Sequence, residues 1–497
     1  MSSILRNIKL GTFASGLALG NDSLKKEIAS GLLGMRGLPA KLVQIKSILN
    51  TDDYNYWKEA IGEIIPISRS EFEESIKLFS PDLFQRLTFD QSEKVYPASI
   101  GQVQKGLLDG NKEVAIKLRH ANIKEQTLND LGMIGFAGKL FSMLHDGFSL
   151  DDYQQMMTER LSMEMDFVKE AEYQNQFQEF FSKYPSIKIP VAFSNLTNER
   201  ILCQEWVEAL PAESFLLKCS EQEKLEFSDL ISRFYFDSIF ELGLVHSDPN
   251  PGNFGVLRKS SGIQLVVFDF GSVYQLSEKE KLALWGLIHN QTQPQWNDLS
   301  LLGILGFQMD TLKKIETKIH AYMSVIVEPF LAQTRYKLST WNRKERCADI
   351  LGSDKFQFMI SAPAHFFSVM RAFQGLFYWC NQSSGDIWLY HKVSKKRIEM
   401  TRALQDFSAT LPKIEQTMAV SLRIDVWRGN EKTVSLTLPR NAVEQLNQLI
   451  DPELKSKIIE QGFDIPAIQK QTRTGAYKPQ ELISWKDNEK EIRIYLE

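Results

Sequence analysis

Cysteine is scarce in this chain of 497 residues, with four in all. Cys203, Cys219, Cys347 and Cys380 are scattered, and no pair has CxxC spacing. That argues against a disulfide framework and a thiolate metal site, and the thiols are expected to be free in a reducing compartment. Histidine is also sparse, and of the seven only His246 lies in a motif. There is no surplus of positive charge: 58 Lys and Arg stand against 62 Asp and Glu, for a net charge of −4. Nucleic acid is therefore not indicated as a partner. Long clean apolar runs are missing too. Residues 356–379 are interrupted by Gln357, Pro363, His365, Arg371 and Gln374, so they read as buried helices and not as a membrane span. Residues 4–20 are short and glycine-rich, with Arg6 and Lys9 ahead of a mild apolar stretch. A weak secretory signal is one reading, but a strong apolar core is lacking, and a helical extension that touches a membrane surface is the preferred one. These absences lead to the expectation of a cytoplasmic chain with at most peripheral membrane contact. No internal repeat or low-complexity region stands out.

What is present is concentrated in two segments. Residues 246–253 read HSDPNPGN and residues 268–271 read FDFG. Asp248 can accept a hydroxyl proton or orient a nucleophile. Asn253 and Asp269 supply oxygen ligands suited to Mg²⁺, a hard cation. The interval from Asp248 to Asn253 equals that of the kinase loop HRDxxxxN, and DFG follows after one hairpin. Either segment alone would be weak, because an ordinary hairpin with a buried Phe and a capping Asp gives the same letters. Upstream, residues 114–117 read VAIK. Alone this is a common strand sequence with a solvated lysine; in this order, Lys117 is placed to reach nucleotide phosphates if a carboxylate holds it. Residues 102–108 and 113–118 flank Asp109-Gly110-Asn111, a hairpin turn. The glycine-rich GxGxxG loop expected before such a hairpin is missing: the chain has Tyr96-Pro-Ala-Ser-Ile-Gly-Gln-Val103, with Gly101 alone. A loop of this kind is stiffer and permits less close approach of backbone to phosphate.

The run PASIGQV, then VAIK, then Glu164-Met-Asp166-Phe-Val-Lys-Glu170-Ala171, then HSDPNPGN, then DFG resembles the UbiB/AarF family of atypical kinases. The resemblance runs by motif from about residue 38 to residue 271. It implies an α+β, two-lobed protein-kinase-like fold with an N-terminal helical extension, to which this chain's own residues add a small C-terminal α/β tail. It implies ATP and Mg²⁺ as cofactors, and activity linked to isoprenoid quinone or membrane lipid metabolism. Carried over residue by residue, it makes Asp248, Lys117, Glu170, Lys41 and Glu164 the catalytic set. It puts nucleotide contacts at Ala98, Ser99, Gly101, Gln102, Lys117, Glu205 and Val207, and metal ligands at Asn253 and Asp269. It also implies a Lys117–Glu170 ion pair. Lys41-Leu-Val-Gln44 stands where the family has KxGQ, with Val43 replacing the glycine; there the segment folds over the nucleotide and its Lys meets Glu164. An amphipathic helix with a surface lysine is the other reading of that segment. Asp166 and Glu170 are four apart and would share one helix face. A solvated acidic face reads the same way.

Domain organisation follows from these placements. Residues 1–92 form a helical extension, 93–206 a small lobe with a helical insertion over 122–181, 207–382 a helical large lobe, and 383–497 a tail. Residues 225–244 read as a helix ending near Gly243. In the tail, residues 422–427 and 433–438 read as a hairpin around Arg428-Gly-Asn, followed by helices over 439–461. After DFG, Ser277 caps a new helix almost at once. No long segment intervenes to seat a peptide, so no peptide substrate is expected. Three functions fit: an ATP-dependent kinase or ATPase acting near isoprenoid lipids or quinone precursors, a nucleotide-gated pseudokinase that binds lipid or a partner, and a soluble small-molecule phosphotransferase.

Overall fold

In the computed structural model, residues 67–90, 95–97, 101–119, 166–292, 296–363, 365–407, 419, 421–429, 431–474, 477, 479–486 and 490–497 are described. They form two compact units, one of residues 1–275 with 364–384, the other of residues 276–363 with 385–497. Both mix helices with mainly antiparallel sheets.

The first unit holds the signature residues. Its first sheet is built on the hairpin Gly101–Leu108 and Lys112–Arg119. Asp109 (φ 51°) and Gly110 (φ 74°) adopt the left-handed backbone that the tight connection requires. Strand Ile201–Glu205 pairs with Lys112–Arg119 on the other side. Period-two alternation then sorts the side chains. Val114, Ile116 and Leu118 join Phe72 and Ile76 in one buried core. Lys117, between them in sequence, points to the opposite face. Phe72 and Ile76 come from helix Arg69–Phe79, which opens with a Ser68/Glu71 capping box.

Helix Glu221–Asp237 is capped by Ser220 and Glu223 and runs into a π-turn, Ser238–Leu242. It stops at Gly243, whose φ of 76° is the left-handed C′ conformation expected of this glycine. The chain turns there into strand Leu244–His246, which pairs with Val273–Gln275. The hairpin Phe254–Lys259 and Gly262–Val267 lies between these two strands in sequence. Helix Phe366–Gln382 packs on Glu221–Asp237 in the same unit.

In the second unit, helices Glu278–His289, Glu316–Leu331 and Tyr390–Phe407 pack together, the first of them capped by Ser277 and Glu280 as expected. Its four-stranded sheet has the order Glu431–Pro439, Ser421–Arg428, Lys490–Leu496, Gln480–Lys486. The first two strands are the hairpin read from Arg428-Gly429. The last two were not legible from the sequence. Among the described residues no helix is long and apolar enough to cross a membrane.

Candidate functional site

Lys117 is the centre of the site. Its ammonium lies 2.9 Å from Glu170 Oε1 and 2.7 Å from Asp269 Oδ2. Glu170 sits in the first turn of helix Phe167–Phe181 and is buried. Asp269 follows the end of strand Gly262–Val267. Three segments far apart in sequence thus converge on one cation. Two carboxylates sharing one ammonium cannot be equivalent. Burial, helped by the neighbouring Asp269 charge, pushes the Glu170 carboxyl up to about 7 despite Lys117. Burial also opposes the Asp269 charge, but Lys117 outweighs it and holds that carboxyl below the usual range. Lys117 itself is held cationic, because the two carboxylates outweigh its desolvation.

A pH dependence follows. The proton on Glu170 stabilises the fold fully below the ordinary carboxyl value of 4.5, and that contribution is lost as pH rises through about 7. Glu170→Gln carries the neutral form at every pH. In the nucleotide-free protein, the stability of wild type relative to Glu170→Gln should therefore fall between those two pH values. A difference in unfolding midpoint that stays constant across the window would overturn the unequal sharing.

Asp166 plays a different part from the shared acidic face expected of it. It is the N-cap of helix Phe167–Phe181, where its carboxylate accepts the Lys169 N–H at 3.1 Å. It lies outside the regular helix, so it does not stack over Glu170. Glu164, Lys41, Ala98 and Ser99 lie outside the described residues.

His246 is buried, and its Nε2–H donates to the Asp269 carbonyl at 2.7 Å. Burial lowers its proton affinity, so the ring is a neutral donor that ties the HSD segment to the DFG segment. The rings of Phe177, Phe234, Phe254 and Phe270 surround it, with centroids 5.4–6.4 Å away. Two residues on, Asp248 is also buried. Asn253 Nδ2 donates to Asp248 Oδ2 at 3.1 Å and to the Asp248 carbonyl at 3.2 Å. Asp248 Oδ1 takes a hydrogen bond from Arg371 Nη2 at 2.9 Å. Sequence reasoning missed this partner: Arg371 entered it only as a polar interruption of an apolar helix. The available signal was a buried-helix arginine in a helix, Phe366–Gln382, that contains no acidic residue.

The nucleotide-contact candidates fall into two groups. Gly101 is needed for its own strand pairing, since a Cβ there would lie 2.3 Å from the Leu118 carbonyl oxygen. Gln102 pairs with Leu118 and so shares the core face, opposite Lys117. Its buried side chain accepts the Ile67 N–H at 2.9 Å, leaving only its backbone to the Lys117 side. Glu205 ends the strand beside Val114, and its carboxylate is engaged by Lys188 at 2.7 Å and by the Val191 N–H at 3.2 Å. Val207 follows, half-buried. Among the described residues no group of three His, Cys, Asp or Glu side chains is arranged to hold a metal. Of the two metal ligands that the resemblance implies, Asp269 has Oδ2 on Lys117 and Oδ1 on the Gly271 N–H, and Asn253 has its Nδ2 on Asp248.

Residues 70–300 match the ABC1 atypical kinase-like domain. The chain is similar to AarF domain-containing kinase 1 of Drosophila melanogaster, 24% identical over 49% of this chain and 45% of the relative. It is 22% identical to the mitochondrial atypical kinase COQ8B of Danio rerio over 72% of this chain and 58% of the relative. It therefore spans about half the length of these relatives. Among solved structures, the complex of Rv3197 with erythromycin from Mycobacterium tuberculosis shares the fold. Its TM-score is 0.53 at 20% identity, covering 76% of this chain and 95% of that one.

Proposed function

Since residues 70–300 make this chain a member of the UbiB/AarF family of atypical kinases, with a kinase-like α+β fold, we propose that it binds Mg²⁺-ATP and transfers or hydrolyses the terminal phosphoryl group. The observation that carries this reading is the convergence of Glu170 and Asp269 on Lys117, at 2.9 and 2.7 Å. Lys117 would exchange Asp269 for phosphate oxygens. Glu170 would keep its ammonium in place. The hard oxygens of Asp269 and Asn253 fit Mg²⁺, which when bound supplies charge neutralisation at the phosphates. Gly101 and the backbone of Glu205 and Val207 would meet the nucleotide. Asp248 would accept a hydrogen bond from the attacking hydroxyl or water and orient it.

The acceptor class we favour is an isoprenoid lipid or quinone precursor met at a membrane surface. A peptide acceptor fits poorly. The chain leaves Gly271 directly for strand Val273–Gln275, hydrogen-bonded to Leu244–His246, so no extended platform separates DFG from the next element. One observation favours a second reading, a nucleotide-gated binding protein: Asp248 and Asp269 are each engaged by a cation, Arg371 and Lys117. ATP turnover measured with and without liposomes and a phenolic quinone-precursor mimic separates the two.

Asp269→Asn tests the metal role directly. It should weaken nucleotide binding strongly in Mg²⁺ and little in EDTA, because the carboxylate acts through the cation. Equal affinity of wild type and variant for ATP in Mg²⁺ would remove Asp269 from the metal site.

A further inference from the structure

Asp248 is held by a residue from well beyond the matched domain. Arg371 lies 123 positions further along the chain and outside residues 70–300. Both members of the pair are almost fully buried, at 6% and 7% exposure. Arg371 contacts Oδ1, whereas the Asn253 amide contacts Oδ2. The carboxylate plane is thereby fixed from two sides.

The helix that brings Arg371 is itself docked on the catalytic loop. One turn after Arg371, a Cβ on Gly375 would lie 2.4 Å from Pro249 Cβ and 2.7 Å from the Tyr235 hydroxyl. The helix backbone therefore lies against the residue that follows Asp248, and no larger side chain fits there. The Tyr235 hydroxyl is buried with no hydrogen-bond partner among the described residues. Groups that act on Asp248 include Tyr235 from Glu221–Asp237 and Asp269 and His246 from the strand ends, beside Arg371 from helix Phe366–Gln382, which is hydrogen-bonded to it.

We propose that Arg371 is the positioning residue of the catalytic loop: it fixes the orientation of Asp248, so that residues 364–384 complete a site whose other parts lie within 70–300. The proposal rests on the reading of Asp248 as the group that acts on the nucleophile. A deleted second partner of this kind typically costs about 10–100-fold in activity.

The test uses the full chain and the variants Arg371→Met, Arg371→Lys and Asp248→Asn/Arg371→Met, with ATP and Mg²⁺. Turnover and ATP affinity by calorimetry are measured. Arg371→Met should lower kcat by roughly 10–100-fold with ATP affinity nearly unchanged. Arg371→Lys, which keeps a cation at that place, should recover part of the rate. On the Asp248→Asn background, Arg371→Met should cost nothing further in kcat.

An unchanged kcat in Arg371→Met, with wild-type turnover present, would overturn the assignment and leave the kinase reading standing. Absence of wild-type turnover, with ATP still bound, would overturn both. Should Arg371→Met not fold, Arg371→Lys decides: a reduced kcat with ATP affinity unchanged supports the proposal, and wild-type kcat sinks it.

Discussion

Asp248→Asn should leave Mg²⁺-ATP affinity nearly intact while turnover falls by about 10²–10⁴-fold, the contribution of a positioned general base. The separation follows from the geometry. Glu170 and Asp269 are each joined to Lys117, at 2.9 and 2.7 Å, and neither contact passes through Asp248. The carboxylate that would act on the nucleophile is instead held by Arg371 and Asn253. Asparagine keeps the shape and one oxygen, so the loop should stay folded. It loses the negative charge against a buried guanidinium, which costs stability but not nucleotide contacts. Calorimetric titration of ATP and a phosphate-release assay on the same preparation make the comparison. Comparable losses of binding and turnover would mean that Asp248 belongs to the nucleotide site, and equal turnover would mean that it has no part in the chemistry.

The parts of the site legible in the sequence are those fixed by local rules. Gly243 in the left-handed region, the Asp109-Gly110 turn and the Ser277 capping box each need only a few neighbouring residues to be read. The Lys117–Glu170 pair, 53 positions apart, was reached through family resemblance and not through periodicity. Arg371 escaped because its meaning lies in a contact across the fold. In sequence it is one polar residue in an apolar helix, and nothing local names Asp248 as its partner. Asp166 falls one residue short of the helix: four-residue spacing suggested a shared face, whereas an aspartate just ahead of an apolar helix start is also an N-cap signal. Gln102 could have been assigned to the core face from strand alternation, once Lys117 was taken as facing the site. The strands Gln480–Lys486 and Lys490–Leu496 are short and carry charge on their exposed faces, so only the pairing of Lys490–Leu496 with Ser421–Arg428, and of Gln480–Lys486 with Lys490–Leu496, identifies them.

Phe177→Ala should be among the most damaging single changes in the first unit, at about 3–5 kcal/mol, a large part of the ~5–15 kcal/mol that holds a typical domain together. The ring is fully buried. Its centroid lies 4.8 Å from Phe270, 5.8 Å from Phe234, 6.3 Å from Phe181 and 6.4 Å from His246. Truncation would therefore open a cavity among aromatic rings too large to collapse into it. The effect should reach the site by a specific route. Phe270 follows Asp269 in the chain, and His246 holds the Asp269 carbonyl at 2.7 Å, so both packed neighbours of the cavity carry the metal-site candidate. The variant should lose Mg²⁺-dependent ATP affinity as well as stability. Phe177→Leu, which keeps most of the volume, should lose less of each. Denaturant unfolding followed with and without Mg²⁺-ATP measures both, because a nucleotide bound only by the folded unit raises the transition of that unit. If Phe177→Ala unfolds earlier but is stabilised by Mg²⁺-ATP as much as wild type is, the aromatic cluster supports the fold alone and does not set the position of Asp269.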